Sequence, residues 1–271
     1  MPVFRRRAGT EARPTLHLRA SPMTIRISVI IPAFNMARFL PDAIASIARQ
    51  GVPVAEILVI DPGSTDGTAD TVAALTAAGA PIRYIPAENC DPGPARNLGL
   101  AQAVGDVIAF LDADDLWPAG KLERQGNRLD AEPAVEMVSG FVRYFEDLDP
   151  ATLAPVEGSR IETLFHVHLG ACLYRRRVFD RVGGFDPSLR FSEDVDLLQR
   201  IREQAIPFTI LRAVTLFYRK HPASMMVQPD PRRTVDFRRS IALSVMRRRK
   251  LGQAGDLPPL EASLEPEARS A

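Results

Sequence analysis

A run of five apolar residues, Val107-Ile108-Ala109-Phe110-Leu111, stops abruptly at Asp112-Ala113-Asp114-Asp115, three carboxylates in four positions. Apolar residues without polar alternation make a strand that is buried on both faces of a sheet. The carboxylates then stand at its C-terminal mouth, the edge where open α/β sheets bind ligands. Crowded carboxylates repel one another unless a cation sits between them. Oxygen donors of this kind suit Mg²⁺ or Mn²⁺, with Mg²⁺ using one or two protein carboxylates beside substrate phosphates and water. The run therefore predicts a diphosphate held by a metal. Standing alone, the same acids could simply open the next helix before Trp117-Pro118.

The chain around this strand alternates strand and helix. Ile25 to Ile31 reads as a first strand, and Pro32-Ala33-Phe34-Asn35 turns it into a helix reaching about Gln50, with Leu40, Ile44 and Ile47 at helical spacing and Gly51 as the stop. A second strand, Glu56 to Ile60, feeds the turn-rich loop Asp61-Pro62-Gly63-Ser64-Thr65-Asp66-Gly67-Thr68 and a helix ending near Gly79. Ile82 to Ile85 is a third strand, and a loop from Asn89 leads to a helix carrying Ala95-Arg96-Asn97-Leu98-Gly99. The alternation predicts an α/β fold with a mostly parallel central sheet flanked by helices. At 271 residues the chain can bury a substantial core as one domain or two.

The second half is less regular. A helix from about Pro118 to Leu129 and a strand from Val135 to Tyr144 precede an irregular stretch to Ser159, a length that often shapes a cleft or lid. His166 and His168 alternate as on one face of a strand, a spacing open to a metal pair but common for residues that face solvent or a cleft. Ser192 is placed to cap a helix that begins Glu193-Asp194-Val195-Asp196, and acids there are favoured by the helix dipole whatever their use. Arg219, Lys220 and His221 close a short strand, Val214 to Tyr218. Residues 229–250 read as a basic helix with Phe237, Ile241 and Val245 on one stripe. Such a helix either packs on the domain with a solvated face or meets anionic lipid or a polyprenyl phosphate. Residues 251–271 and 1–23 are expected to be disordered, with Met23 read as the natural start.

Composition narrows the classes. A formal charge of +1 argues against a general nucleic-acid binder. Cys90 and Cys172 are too few and too far apart for a disulfide framework or zinc site, which fits a reducing cytosol. No apolar run nears the roughly 18 residues of a membrane-spanning helix, and Arg5-Arg6-Arg7 lacks the apolar core of a secretory signal.

Taken together, five stretches in order resemble the family 2 glycosyltransferases, whose catalytic domain has the GT-A fold. They are Ser28 to Asn35, Asp61 to Thr68, Gly93-Pro94-Ala95-Arg96-Asn97-Leu98-Gly99, Phe110 to Asp115, and Gly183-Gly184-Phe185-Asp186 through Glu193-Asp194. The resemblance covers roughly residues 25–225. It implies a GT-A domain over 24–228, with a nucleotide-sugar half to about 116 and an acceptor half from 117, followed by the helical extension.

It also implies an inverting displacement that moves a sugar from a nucleotide-diphosphate sugar, a UDP-sugar first among them, to a hydroxyl of a sugar, lipid-linked or other acceptor. Pro32, Ala33 and Asp61 would hold the base and ribose, and Arg96 would reach the base or pyrophosphate. Asp112 would meet the ribose or the metal's water shell, Asp114 would bind Mg²⁺ or Mn²⁺ directly, and His221 would support metal and diphosphate. Asp194 would be the general base, with Glu193 orienting the acceptor. The reaction would belong to cell-surface glycan assembly, in the cytoplasm or at the inner face of the membrane.

Two departures stand out. Pro62 replaces the second acid that many relatives carry after the position of Asp61. The Gln-x-x-Arg-Trp motif of processive synthases is missing, the single tryptophan being Trp117, so transfer of one or a few sugars is expected. A sugar nucleotidyltransferase would carry a Gly-rich basic loop where this chain has Pro32-Ala33-Phe34-Asn35. A non-catalytic nucleotide-sugar-binding protein would have no need of both acidic sites.

Overall fold

The computed structural model describes residues 25–266 apart from 89, 157–160, 223, 226, 228 and 254. The expected extension at 1–23 lies outside them. The first half alternates as its sequence predicts: β1 (Ile27–Pro32), α1 (Leu40–Ala48), β2 (Glu56–Asp61), α2 (Thr68–Ala77), β3 (Ile82–Pro86), α3 (Pro92–Gln102) and β4 (Val107–Phe110). Then follow α4 (Lys121–Ala131), β5 (Met137–Phe145), the small hairpin β6 (Leu148–Asp149) and β7 (Ala154–Pro155), and β8 (Glu162–Leu164). The chain ends through β9 (Leu173–Arg175), α5 (Arg177–Val182), α6 (Glu193–Glu203), β10 (Phe208–Arg219) and α7 (Arg232–Lys250).

The main sheet runs β10-β5-β9-β4-β1-β2-β3, with β8 on β5. β1 pairs in parallel with β2 and β4, β2 with β3, and β5 with β10. β9 is antiparallel to both of its neighbours, β4 and β5. All four residues of β4 are buried, as a strand covered on both faces requires. Strand residues alternate between two cores: Val29, Val59 and Ala109 meet Leu40, Ile44 and Ile47 of α1, while Ile30, Leu58 and Ile108 meet Ala95 of α3 and Leu197 and Ile201 of α6. Gly99 lets α3 lie against β1, since a Cβ there would stand 2.5 Å from Ile30 Cγ2.

Three local expectations change. His166 and His168 do not sit in a strand: residues 165–168 carry no regular structure, and Leu169–Ala171 forms a 3₁₀ turn whose Gly170 carbonyl accepts the Trp117 indole N–H at 2.9 Å. Ser192 does not cap α6 with its side chain. Its backbone is left-handed (φ 61°), and its carbonyl instead accepts the Asp196 N–H at 3.0 Å. Within the tail expected to be disordered, Leu264 bridges to Ile210 of β10 and Glu265 pairs with Arg128 at 2.8 Å. A backbone bridge and an ion pair supply what the tail lacks in apolar residues.

Candidate active site

The C-terminal ends of β1, β2 and β4 bring the sequence motifs to one edge. Two loops are stitched together there. The Asn35 N–H donates to Ser64 Oγ at 2.8 Å, the Thr65 N–H returns to Asn35 Oδ1 at 2.9 Å, and the Ala37 N–H donates to Asp66 at 3.0 Å. Asn35 adopts φ 55°, a conformation its short polar side chain tolerates. Beside them opens a cleft of about 840 Å³ lined by every expected site residue except Asp61: Pro32, Ala33, Arg96, Asp112, Asp114, Asp194 and His221.

Asp61 lies beneath the loop, 2% exposed. One carboxylate oxygen accepts the Gly63 and Ser64 N–H groups at 3.0 and 2.7 Å, and the other accepts the Tyr84 hydroxyl at 2.8 Å. Its neighbour Pro62 is the residue that reaches the cleft wall.

Arg96, 4% exposed, joins two motifs. Nη2 donates to Asp112 Oδ1 and Nη1 to Glu193 Oε1, each at 2.6 Å. Burial opposes its charge, but the two carboxylates outweigh burial and hold its pKa above the ordinary value. Burial likewise pushes Asp112 up, and Arg96 more than reverses it, leaving the carboxylate below its usual range. Glu193 goes the other way: burial pushes it up to about 7, with Asp194 adding repulsion. Asn97 beside Arg96 holds the Gly183-Gly184-Phe185 turn, accepting the Phe185 N–H and donating to the Phe185 carbonyl, both at 2.8 Å. A Cβ on Gly184 would stand 2.3 Å from Asn97 Oδ1.

The acids after β4 point in three directions. Asp112 faces Arg96. Asp114 Oδ2 lies 2.9 Å from His221 Nε2, whose ring packs on Phe39 with centroids 4.4 Å apart. Asp115 is 1% exposed, accepts the Arg219 N–H at 3.0 Å, and is pushed well above the usual carboxylate range by burial and then by Asp114 and Asp112. Its other oxygen, like His221 Nδ1, is buried without a hydrogen-bond partner.

Because β9 is antiparallel to β4, the segment entering it reaches the same edge that β4 leaves. That brings His168 to the acids: one ligand atom each from Asp112, Asp115 and His168 lies within 4.8 Å of the others. Burial lowers the His168 pKa and favours the neutral, ligand-competent imidazole. Orphaned polar atoms, mutually repelling carboxylates and neutral imidazole are a donor set that fits a divalent cation. Asp194, in the first turn of α6, accepts the Val195 N–H at 2.7 Å.

Sequence reading missed the joining role of Arg96, the Asn97 clasp and the approach of His168. The adjacent Arg96-Asn97 pair was visible, but its partners lie 97 and 88 residues away in the chain.

The family model described as Glycosyl transferase family 2 matches residues 28–183. A putative teichuronic acid biosynthesis glycosyltransferase of Bacillus subtilis, TuaG, is 37% identical over 100 residues, covering 36% of this chain and 40% of that protein. The chain spans less than two thirds of the length of the curated relatives it matches, 31% in one case. Among solved structures, S. aureus TarS 1-349 in complex with UDP-GlcNAc aligns over 82% of this chain and 66% of that one, with TM-score 0.63 and 20% identity. The mannosyltransferase PcManGT of Pyrobaculum calidifontis, in complex with GDP-Man and Mn²⁺, aligns over 87% and 66%, with TM-score 0.57 and 22% identity. These likenesses establish the fold that the motifs implied.

Proposed function

Because the chain belongs to glycosyl transferase family 2, we propose that it moves a sugar from a nucleotide-diphosphate sugar to an acceptor hydroxyl by a single inverting displacement. The observation that carries this reading is the convergence of Asp112, Asp114 and Asp194, from two distant motifs, on one cleft at the C-terminal edge of the sheet.

In this reading Pro32, Ala33 and Pro62 flank the base and ribose, and Asp61 shapes that end by holding the loop and Tyr84 from below. Arg96 fixes Asp112 on the diphosphate side and Glu193 on the acceptor side. Asp112, Asp115 and His168, with Asp114 and His221 beside them, would hold Mg²⁺ or Mn²⁺, which when bound offsets charge on the departing diphosphate. Asp194 takes the proton from the acceptor hydroxyl as its oxygen attacks the anomeric carbon. The bond to the diphosphate breaks on the opposite face, and the nucleoside diphosphate leaves.

TarS with UDP-GlcNAc and PcManGT with GDP-Man and Mn²⁺ support a nucleotide-sugar donor and a divalent metal, and UDP is the base we put first. The name of the B. subtilis relative supports a role in cell-surface glycan assembly. No helix among the described residues is long and apolar enough to cross a membrane, and both cysteines are free thiols, which fits a reducing compartment.

The test is the melting temperature against UDP, GDP, CDP and dTDP, each with and without Mn²⁺, beside Asp114→Ala. Ligand at a hundred times its dissociation constant adds about 2.7 kcal/mol. One nucleotide should stabilise only with metal and only in the unmutated protein. Stabilisation that is equal in Asp114→Ala removes the metal assignment, and no stabilisation by any nucleotide or nucleotide-sugar removes the transferase reading.

A further inference from the structure

Helix α7 docks through its polar side. Its buried positions are Asp236, Ser240 and Ser244. Asp236 accepts the Arg190 and Phe191 N–H groups at 3.1 and 3.0 Å, while Arg247 pairs with Asp196 at 2.9 Å and Glu203 at 2.6 Å. The large apolar residues are the ones left out: Val235 is 61% exposed, Phe237 51%, Ile241 37% and Met246 55%. A helix resting on a globular domain normally has the reverse polarity.

Basic residues interleave with these apolar ones. Arg238, Arg239, Arg249 and Lys250 are all exposed, and Asp236, the one acid of α7, is turned inward. Exposed apolar groups bordered by basic side chains can enter a lipid interface while the cations meet its phosphates. Phe237 lines the cleft with Phe34 and Met225, whereas Val235 and Met246 lie on the opposite side of α7, among Arg238, Arg239, Arg249 and Lys250. Charge selects the occupant: two copies of a basic face without an exposed acid repel each other, whereas a bilayer rich in anionic lipid attracts it.

The geometry points to the outer face of α7, the side that carries Val235, Met246, Arg238 and Arg249, as a docking surface for an anionic bilayer. This extends the transferase reading, on which it rests only for what the membrane delivers: an acceptor hydroxyl carried on a lipid. Val235 and Met246 would enter the interface, and Arg238 and Arg249 would meet lipid phosphates.

The experiment is cosedimentation of the full chain with phosphatidylcholine vesicles, with and without phosphatidylglycerol, over a range of salt. Arg238→Glu/Arg249→Glu and Val235→Ser/Met246→Ser are compared with Arg238→Lys/Arg249→Lys. Each basic residue near an anionic surface is worth about fivefold in partitioning, so the double reversal should lose at least about 25-fold while the lysine variant keeps binding. The serine variant should bind more weakly with an unchanged salt slope. All variants should keep the nucleotide-dependent melting shift, which shows that they are folded.

Equal binding to neutral vesicles, or none at low salt, overturns the proposal. So does self-association of the chain that the glutamate variant abolishes, since the face would then be an interface between copies. Inorganic phosphate that stabilises the protein as much as anionic vesicles do would overturn it too, by showing that a free anion suffices. Vesicle binding that fails while the nucleotide shift persists sinks the docking surface alone. A missing nucleotide shift with vesicle binding intact sinks the transferase reading alone.

Discussion

Arg96 Nη1 donates to Glu193 Oε1 at 2.6 Å across 97 residues of chain, and both groups are almost fully buried. With Asp112 on the other arm, this guanidinium ties the end of β4 to the start of α6. Arg96→Ala would leave two carboxylates without their partner, a loss of about 3–5 kcal/mol for a broken buried pair. Arg96→Ala/Glu193→Gln should recover part of it in a double-mutant cycle read by urea unfolding.

The raised pKa of Glu193, about 7, gives a pH signature. Between its unfolded value near 4.3 and about 7, the folded state holds a proton that the unfolded state has released. This group's contribution to stability is therefore complete at low pH and falls as pH rises through that window. Unfolding free energies of the native protein and Glu193→Gln, measured at intervals across it, should diverge as pH increases, with Glu193→Gln the more favoured at the upper end.

Asp194→Asn removes the proposed base and keeps the side chain's size. Turnover should fall by about 10² to 10⁴, with the metal-dependent nucleotide shift unchanged. Turnover within a few fold of the native enzyme would remove the assignment.

The Asn97 clasp predicts a cost in stability. Asn97→Ala leaves the Phe185 N–H and carbonyl without partners, an expected loss of about 1–3 kcal/mol per group left buried and unpaired. Gly184→Ala should also destabilise the protein by forcing Asn97 aside. Chemical denaturation of both variants reads this directly.

Lys121 supplies a test far from the cleft. It is fully buried, its Nζ bonded to Gln125 Oε1 at 2.7 Å and 4.3 Å from the centre of the Trp117 ring, and burial lowers its pKa to about 7. Between about 7 and 10.4 the unfolded state is charged where the folded state is neutral. Stability should therefore rise with pH across that range, by at most about 1.4 kcal/mol per pH unit. Lys121→Met should flatten the rise in urea unfolding.

The parallel core was legible because its strands are mostly apolar runs that end in turn residues: Ile25 to Ile31, Glu56 to Ile60 and Val107 to Leu111 are expected, and the strands run Ile27–Pro32, Glu56–Asp61 and Val107–Phe110. β9 was not, since three residues between a glycine-bearing turn and a short helix carry no periodicity to count. The site followed the same division. Asp112 and Asp114 stood out as acids at the end of a buried strand, whereas Asp194, in a helix's first turn where acids are ordinary, stood out only through the order of the five motifs. Which carboxylate faces Arg96, which faces His221 and which is buried depends on pairings across the fold, and no local pattern records them. On α7 the pattern misleads in the opposite sense: Phe237, Ile241 and Val245 share a line, but only the fold shows that the helix packs through Asp236, Ser240 and Ser244.

The reversed direction of β9 has a consequence for how such a domain can change over time. In an all-parallel sheet, segments entering a strand lie at the edge away from the ligand, and only departing segments can alter the rim. Here the chain before β9 arrives at the rim as the chain after β4 departs from it, so changes in the irregular residues 165–168, ahead of the buried turn at Leu169–Ala171, would reshape the cleft without shifting the register of the parallel strands beside it.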